Sequence, residues 1–245
     1  MSNKLNLNKF EEIYKNFIEK GSLNEVQTYY SIYKKRYLTL IKRYNQIALK
    51  HPQKVLDIGG GQYALLCKKL WNDDSTLIDI TNKNFNYMNT NGVRTIKFNL
   101  ASDEINFDEK FDVIFFSEVI EHIPIPGHII LEKLKRILKP NGYIICTTPN
   151  LFRIRNIIFL AMGKNIYDFF RYSNESMGHI LEYSKEHLEW QFRKAGFNEI
   201  SCEILQLHSS RTKITHRLLA WLGSPIYFFV PRFRDNLLLI AKNNL

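Results

Sequence analysis

Short apolar runs bounded by turn residues alternate along this chain with longer stretches in which apolar positions recur every three or four residues. Val55-Leu56, Thr76-Leu77-Ile78, Val113-Ile114-Phe115-Phe116 and Tyr143-Ile144-Ile145-Cys146 are too uniformly apolar to leave one face in water. They predict strands of a parallel sheet covered on both sides. Residues 10–19, 25–50 and 185–195 carry the helical spacing, and residues 199–207 and 235–242 read as two further strands. Within 25–50 the stripe Tyr29, Tyr30, Tyr33, Tyr37, Leu40, Ile41 and Tyr44 is expected to pack as core over the mouth of a site. The alternation of strands with helices places the chain in the α/β class.

Four landmarks carry chemistry. The run Val55-Leu56-Asp57-Ile58-Gly59-Gly60-Gly61 ends an apolar strand in an acid and then supplies glycines where a backbone must turn tightly beside a ligand. Gly59, Gly61 and Ala64 also fit the loose template of a dinucleotide loop, but Asp57 would sit near two phosphates at a Coulombic cost. The acid points instead to a cationic ligand. A second acid, Asp79, follows 22 residues later at the end of the next apolar run, where a βαβ unit places a carboxylate on ribose hydroxyls. Ser117-Glu118-Val119-Ile120-Glu121-His122-Ile123-Pro124 leaves the fourth strand, and Leu138-Lys139-Pro140-Asn141-Gly142 is a tight turn into the fifth.

These four landmarks, with the D-x-G-x-G pattern of Asp57, Gly59 and Gly61, resemble the class I S-adenosylmethionine (SAM)-dependent methyltransferases. The resemblance covers residues 53–150 well, and it is closest to the small-molecule branch that includes the ubiquinone-biosynthesis O-methyltransferases and methyltransferases of bacterial glycan and capsule pathways. It implies a Rossmann-like, seven-stranded, mostly parallel sheet with helices on both faces. It further implies one domain over 1–245: an N-terminal helical cap (1–50), a SAM-binding core (53–150), and helical acceptor-side insertions after strand five (151–180) and between strands six and seven (209–233). The implied cofactor set is Asp57, Gly59, Gly60, Gly61, Asp79, Ile80, Asn99, Leu100, Ser117 and Glu118, with S-adenosylhomocysteine (SAH) as product. Two positions depart from the family: Tyr63 stands where a third glycine is common, and Asn99 where an acid often accepts from the adenine amino group.

Two elements offer a route for the acceptor's proton. If residues 118–122 form one helical turn, Glu118, Glu121 and His122 share a face. The E-x-x-E-H pattern resembles one implicated in divalent-metal binding in the ubiquinone branch, where Mg²⁺ would acidify an acceptor hydroxyl; elsewhere the same motif only caps the turn and packs on the cofactor. His179, in Gly178-His179-Ile180-Leu181-Glu182-Tyr183-Ser184, reads either as a general base, together with His122 and Glu121 as catalytic candidates, or as a structural loop histidine. Ser184 is the expected cap of the helix that follows.

Charge refines the acceptor. Residues 1–50 hold 10 Lys/Arg against 4 Asp/Glu, residues 51–150 hold 11 against 12, and residues 151–245 hold 13 against 8, so the net +10 lies in the flanks. This suggests an acidic small-molecule acceptor or else a merely solvated basic surface. Thr147-Thr148-Pro149-Asn150, the insertion after it and the His179-x-x-Glu182-Tyr183-Ser184 element resemble methyltransferases of bacterial polysaccharide pathways, which implies a sugar or phosphorylated glycan precursor as the leading acceptor. The alternatives are a metal-assisted quinone-type O-methyltransferase and, through the flanks alone, a tRNA or rRNA enzyme. Thr148-Pro149-Asn150 lacks the Pro-Pro-aromatic motif of enzymes that stack a flipped base, which argues against DNA. With 245 residues and 45% hydrophobic content the chain can bury one sizeable core. Cys67, Cys146 and Cys202 are odd in number and widely spaced, and the N-terminus has no signal-like apolar core, so a cytoplasmic enzyme is expected. The segment 209–233, with Trp221, Tyr227, Phe228 and Phe229 among basic residues, is expected to pack over the substrate mouth, or else to touch a membrane interface.

Overall fold

The apolar runs form the seven strands β1 (Lys54–Ile58), β2 (Asp74–Asp79), β3 (Arg94–Lys97), β4 (Phe111–Ser117), β5 (Leu138–Pro149), β6 (Glu199–Leu205) and β7 (Asn236–Lys242), ordered β3-β2-β1-β4-β5-β7-β6 in one sheet. The first five are parallel, and β7 runs antiparallel to both β5 and β6. The structure, a computed structural model, describes residues 5–23, 25, 27–48, 50–105, 109–167, 178–207 and 229–244. Most of the expected insertion 209–233, and residues 168–177 of the earlier one, lie outside the described residues.

Helices cover both faces: α1 (Leu7–Ile13), which continues into a wider π turn (Tyr14–Glu19), α2 (Gln27–Ile47), α3 (Gln62–Trp71), α4 (Phe85–Thr90), α5 (Gly127–Arg136), α6 (Ile154–Ala161) and α7 (Lys185–Lys194). The side-chain period of two splits β4 between two cores. Ile114 and Phe116 pack with α5 and α7 through Ile130, Leu134, Leu188 and Phe192, while Val113 and Phe115 pack with α2 and α3 through Tyr44 and Leu65. Each such fully buried side chain stabilises the fold by about 1.5–3 kcal/mol. The tyrosine stripe divides in the same way: Tyr30, Tyr37 and Tyr44 are core, whereas Tyr29 and Tyr33 are only half-buried.

The turn expected before the fifth strand lies inside β5. Leu138 pairs with Phe111 and Tyr143 with Val113, so residues 139–142 stand opposite Asp112 alone. Asn141 takes a left-handed φ of 61°, and its N–H and the carbonyl of Gly142 are closed by the backbone of Asn243 at 2.7 and 2.8 Å. Ser184 caps α7 as expected, accepting from the His187 N–H at 3.1 Å. Strand order reverses between β1 and β4, and a crevice opens at the carboxyl ends of these two strands. Among the described residues no helix is long and apolar enough to cross a membrane.

Candidate functional site

After β1 the chain turns through Gly59, Gly60 and Gly61, all with positive φ. A Cβ on Gly61 would stand 2.7 Å from Met88 Cε and 2.8 Å from Leu77 Cδ2, so glycine is required there by space as well as by backbone angle. Asp57 is buried beneath the loop and caps α3: its Oδ2 accepts from the N–H groups of Tyr63 and Ala64 at 2.8 and 3.0 Å. Burial pushes its carboxyl up to about 7 despite these two donors. Its other oxygen, Oδ1, is buried without a hydrogen-bond partner, an orphan acceptor that suits a cationic cofactor group nearby.

Asp79 shapes the same loop from β2. Its Oδ2 accepts from Gly60 N–H at 3.0 Å and its Oδ1 from Thr81 N–H at 2.7 Å, while Asn84 Nδ2 donates to the Gly60 carbonyl at 3.1 Å. The next side chain, Ile80, is 58% exposed, an apolar surface at the position expected to meet the base. Asn99 turns its amide oxygen to Ala101 N–H at 3.0 Å and gives its own N–H to Asp103 Oδ2 at 2.7 Å. That N–H and the Ser102 hydroxyl hold the Asp103 carboxyl below the usual range. An ionised acid therefore lies four residues beyond the position where the family often has one. Leu100 packs in the core, so its side chain is not available to a cofactor.

A cavity of about 400 Å³ opens beside the loop, lined by Gly59 and Gly60, by Tyr29, Tyr33 and Arg36 of α2, and by Ser117, Glu118, Glu121, His122, Arg153 and His179. Ser117 Oγ bridges Tyr63 Oη and Thr147 Oγ1 at 3.2 and 2.7 Å. The expected face of Glu118, Glu121 and His122 does not form. Glu118 adopts a left-handed φ of 55°, and only Ile120–His122 makes a short 3₁₀ turn, so the helical spacing that would align the three is broken. Glu118 points instead to Arg36 Nη1 at 3.0 Å and accepts from Asn236 Nδ2 at 2.9 Å.

His179 takes its place. The N–H of Ile180 donates to the Glu121 carbonyl at 2.8 Å, which lays the loop before α7 onto the 3₁₀ turn. The rings of His122 and His179 meet edge to face with centroids 4.9 Å apart, and ligand atoms of Glu121, His122 and His179 all lie within 4.8 Å of one another. Glu121 is fully buried, with Oε2 accepting from Thr148 Oγ1 at 3.0 Å and Oε1 without a hydrogen-bond partner. Burial first, and the charge of Glu118 second, push its carboxyl well above the usual carboxylate range. Two imidazoles and one carboxylate with an orphan oxygen fit a divalent cation, and the nitrogen-rich set suits a transition ion such as Zn²⁺ or Mn²⁺ better than the expected Mg²⁺.

A family model described as a methyltransferase domain matches residues 29–201. This chain belongs to that methyltransferase family. A ubiquinone biosynthesis O-methyltransferase from Rickettsia prowazekii is 30% identical over 160 residues, a match spanning 60% of each chain. One of the same description from Rickettsia felis is 26% identical over 193 residues, 71% of this chain and 75% of that one. The solved structure of a SAM-dependent methyltransferase from Thermotoga maritima superposes with a TM-score of 0.57 at 15% identity, covering 96% of this methyltransferase and 99% of that chain, so the two share a fold.

Sequence reasoning missed Arg36 altogether, because it lies within a stripe read as tyrosine packing. The guanidinium is buried, sits 4.6 Å from the Tyr33 ring centroid, and donates to Tyr29 Oη at 2.9 Å. Burial opposes its charge, but Glu118 and the surrounding phenols outweigh that, so it remains a cation. In this methyltransferase the arginines lining the cavity are each paired, Arg36 with Glu118 and Arg153 with Glu182. That pairing weakens the expectation of an acidic acceptor.

Proposed function

We propose that this protein transfers the methyl group of SAM to a hydroxyl of a small aromatic acceptor, with a divalent cation held by Glu121, His122 and His179. The observation that carries the reading is the convergence of those three side chains in the cavity that also contains the glycine loop. The curated relatives named above favour this quinone-type reading over the glycan precursor that the resemblance to polysaccharide-pathway methyltransferases implied. SAM would lie over Gly59 and Gly60, with Asp79 and Ile80 toward its nucleoside end. A cation at the histidines would lower the pKa of the acceptor hydroxyl.

The rest of the work falls to the protein. The acceptor oxygen attacks the methyl carbon in line as the carbon–sulfur bond breaks, and SAH leaves as a neutral thioether. His179 Nδ1 is directed at Glu182 Oε1 at 3.1 Å, which leaves Nε2 to hold the cation, and the proton of the acidified hydroxyl leaves through the cavity to solvent. The half-buried Tyr29 and Tyr33 supply apolar faces for an aromatic ring. Turnover of SAM with a catechol, followed as SAH release, tests this. Activity lost in chelator and restored by Zn²⁺ or Mn²⁺ is expected; full activity in chelator removes the cation from the reading, and absence of SAM binding by calorimetry removes the reading entirely.

A further inference from the structure

We propose that helix α6 is coupled to the cation site, with Asn156 as the positioning residue that joins them; this rests on the cation reading of Glu121, His122 and His179. Apolar burial is not what attaches this helix. None of its residues belongs to either core cluster: Ile157, Ile158 and Leu160 are exposed, and Ile154 and Phe159 are only half-buried. Its one fully buried side chain is polar, Asn156. Asparagine is a weak helix former, and an amide at the single inward position forgoes the apolar contact that ordinarily fastens a helix to its domain.

The amide is engaged instead in a polar relay. Asn156 Nδ2 donates to the Leu151 carbonyl at 3.0 Å and to Glu182 Oε2, while its Oδ1 accepts from Arg153 Nε at 3.1 Å. Arg153 Nη2 donates in turn to Glu182 Oε1, which closes a ring of three side chains around a buried carboxylate. The same Oε1 meets His179 Nδ1 at 3.1 Å and so leaves His179 Nε2 to a cation. At the root of the helix the Leu151 N–H donates to the Tyr183 carbonyl at 2.9 Å, on the loop that carries His179 and Glu182. These attachments therefore end on the loop that supplies a cation ligand. A partner behind a metal-bound histidine fixes its tautomer and ring orientation, and its loss costs about 10- to 100-fold in metal affinity. Because a coupling free energy acts equally in both directions, a cation that needs this orientation also holds α6 in place.

Calorimetric titration of the full chain with Zn²⁺ or Mn²⁺, and hydrogen exchange of the α6 amides with and without the cation, test the coupling. In Asn156→Leu, which supplies a better helix former without the amide, cation affinity should fall roughly 10- to 100-fold with SAM affinity unchanged. Asn156→Gln, which keeps a donor, should recover part of that loss. Saturating cation should slow exchange across residues 154–161 roughly fivefold or more in the parent, and not in Asn156→Leu. Parent-like cation affinity in Asn156→Leu overturns the inference, as does exchange in α6 that ignores the cation. Loss of SAM affinity and thermal stability together in both variants also overturns it, since α6 would then serve the fold as a whole. A parent that binds SAM but neither cation removes the cation reading, and this inference with it.

Discussion

Nδ1 of His179 lies 3.1 Å from Oε1 of Glu182, and that carboxylate, buried in turn against Arg153 and Asn156, fixes the imidazole with Nε2 toward the cavity. A carboxylate behind a histidine raises its basicity and sets its tautomer, so Glu182 acts on the chemistry without touching the acceptor. Glu182→Gln should lower kcat roughly 10- to 100-fold with the SAM dissociation constant unchanged. It should also weaken binding of Zn²⁺ or Mn²⁺ by a comparable factor, because the amide orients the imidazole less firmly. A variant with the parent's rate and cation affinity would show that the pair only braces the loop.

The cation set can be separated from the motif in the sequence. Calorimetric titration with Zn²⁺ or Mn²⁺ should lose its signal in His179→Ala and in His122→Ala, and keep it in Glu118→Gln, whose carboxylate is engaged by Arg36 and Asn236. The reverse outcome, binding lost with Glu118 and kept without His179, would restore the E-x-x-E-H face and count against the observed turn.

Burial of Asp57 has a measurable pH consequence. Its carboxyl is raised from 3.8 to about 7 in the folded state, so the folded chain binds this proton more tightly than the unfolded one. The stability it contributes is full below about pH 4 and is lost as pH rises through about 7. The loss is at most about 4 kcal/mol. Asp57→Asn keeps an oxygen to accept from Tyr63 and Ala64 and carries no charge, so it should be more stable than the parent at pH 8 without cofactor, the gap closing toward pH 4. Urea unfolding at the two pH values checks this. SAM affinity should fall in the same variant, since the neutral amide no longer draws a cationic group.

What could be read in advance follows from how local each feature is. The strands, the glycine loop and the cap at Ser184 were legible because each depends on a few adjacent residues: an apolar run between turn residues, an acid before glycines, a hydroxyl before a helix. The site was legible only in part. Glu118, Glu121 and His122 were grouped by assuming helical spacing, and the left-handed backbone at Glu118 gives no signal in a non-glycine residue. His179 and Glu121 lie 58 positions apart and meet only because Ile180 bonds the Glu121 carbonyl. Leu100, named in the implied cofactor set, packs its side chain in the core, which leaves its backbone to meet a cofactor. Arg36 shares a helical face with Tyr33 and Leu40, but it is the last of three consecutive cations, Lys34, Lys35 and Arg36, so charge alone does not mark which of them turns inward.

Arg36 and Glu118 form the remaining testable relationship. They join α2 to the end of β4 across the cavity at 3.0 Å, with the arginine fully enclosed and its Nε lacking a hydrogen-bond partner. Removing one member of such a pair strands the other charge, at a cost of about 3–5 kcal/mol, whereas removing both costs less. Arg36→Met should therefore destabilise the chain more than Arg36→Met combined with Glu118→Gln, giving a coupling energy above ~1 kcal/mol in a double-mutant cycle by urea unfolding. The unengaged Nε adds a second readout: a guanidinium beside the glycine loop can take the carboxylate of SAM, so the double variant should regain stability without regaining SAM affinity. Additive effects within ~0.5 kcal/mol would mean that the pair is not what anchors α2 over the cavity. Affinity restored along with stability would mean that Arg36 serves the fold and not the cofactor.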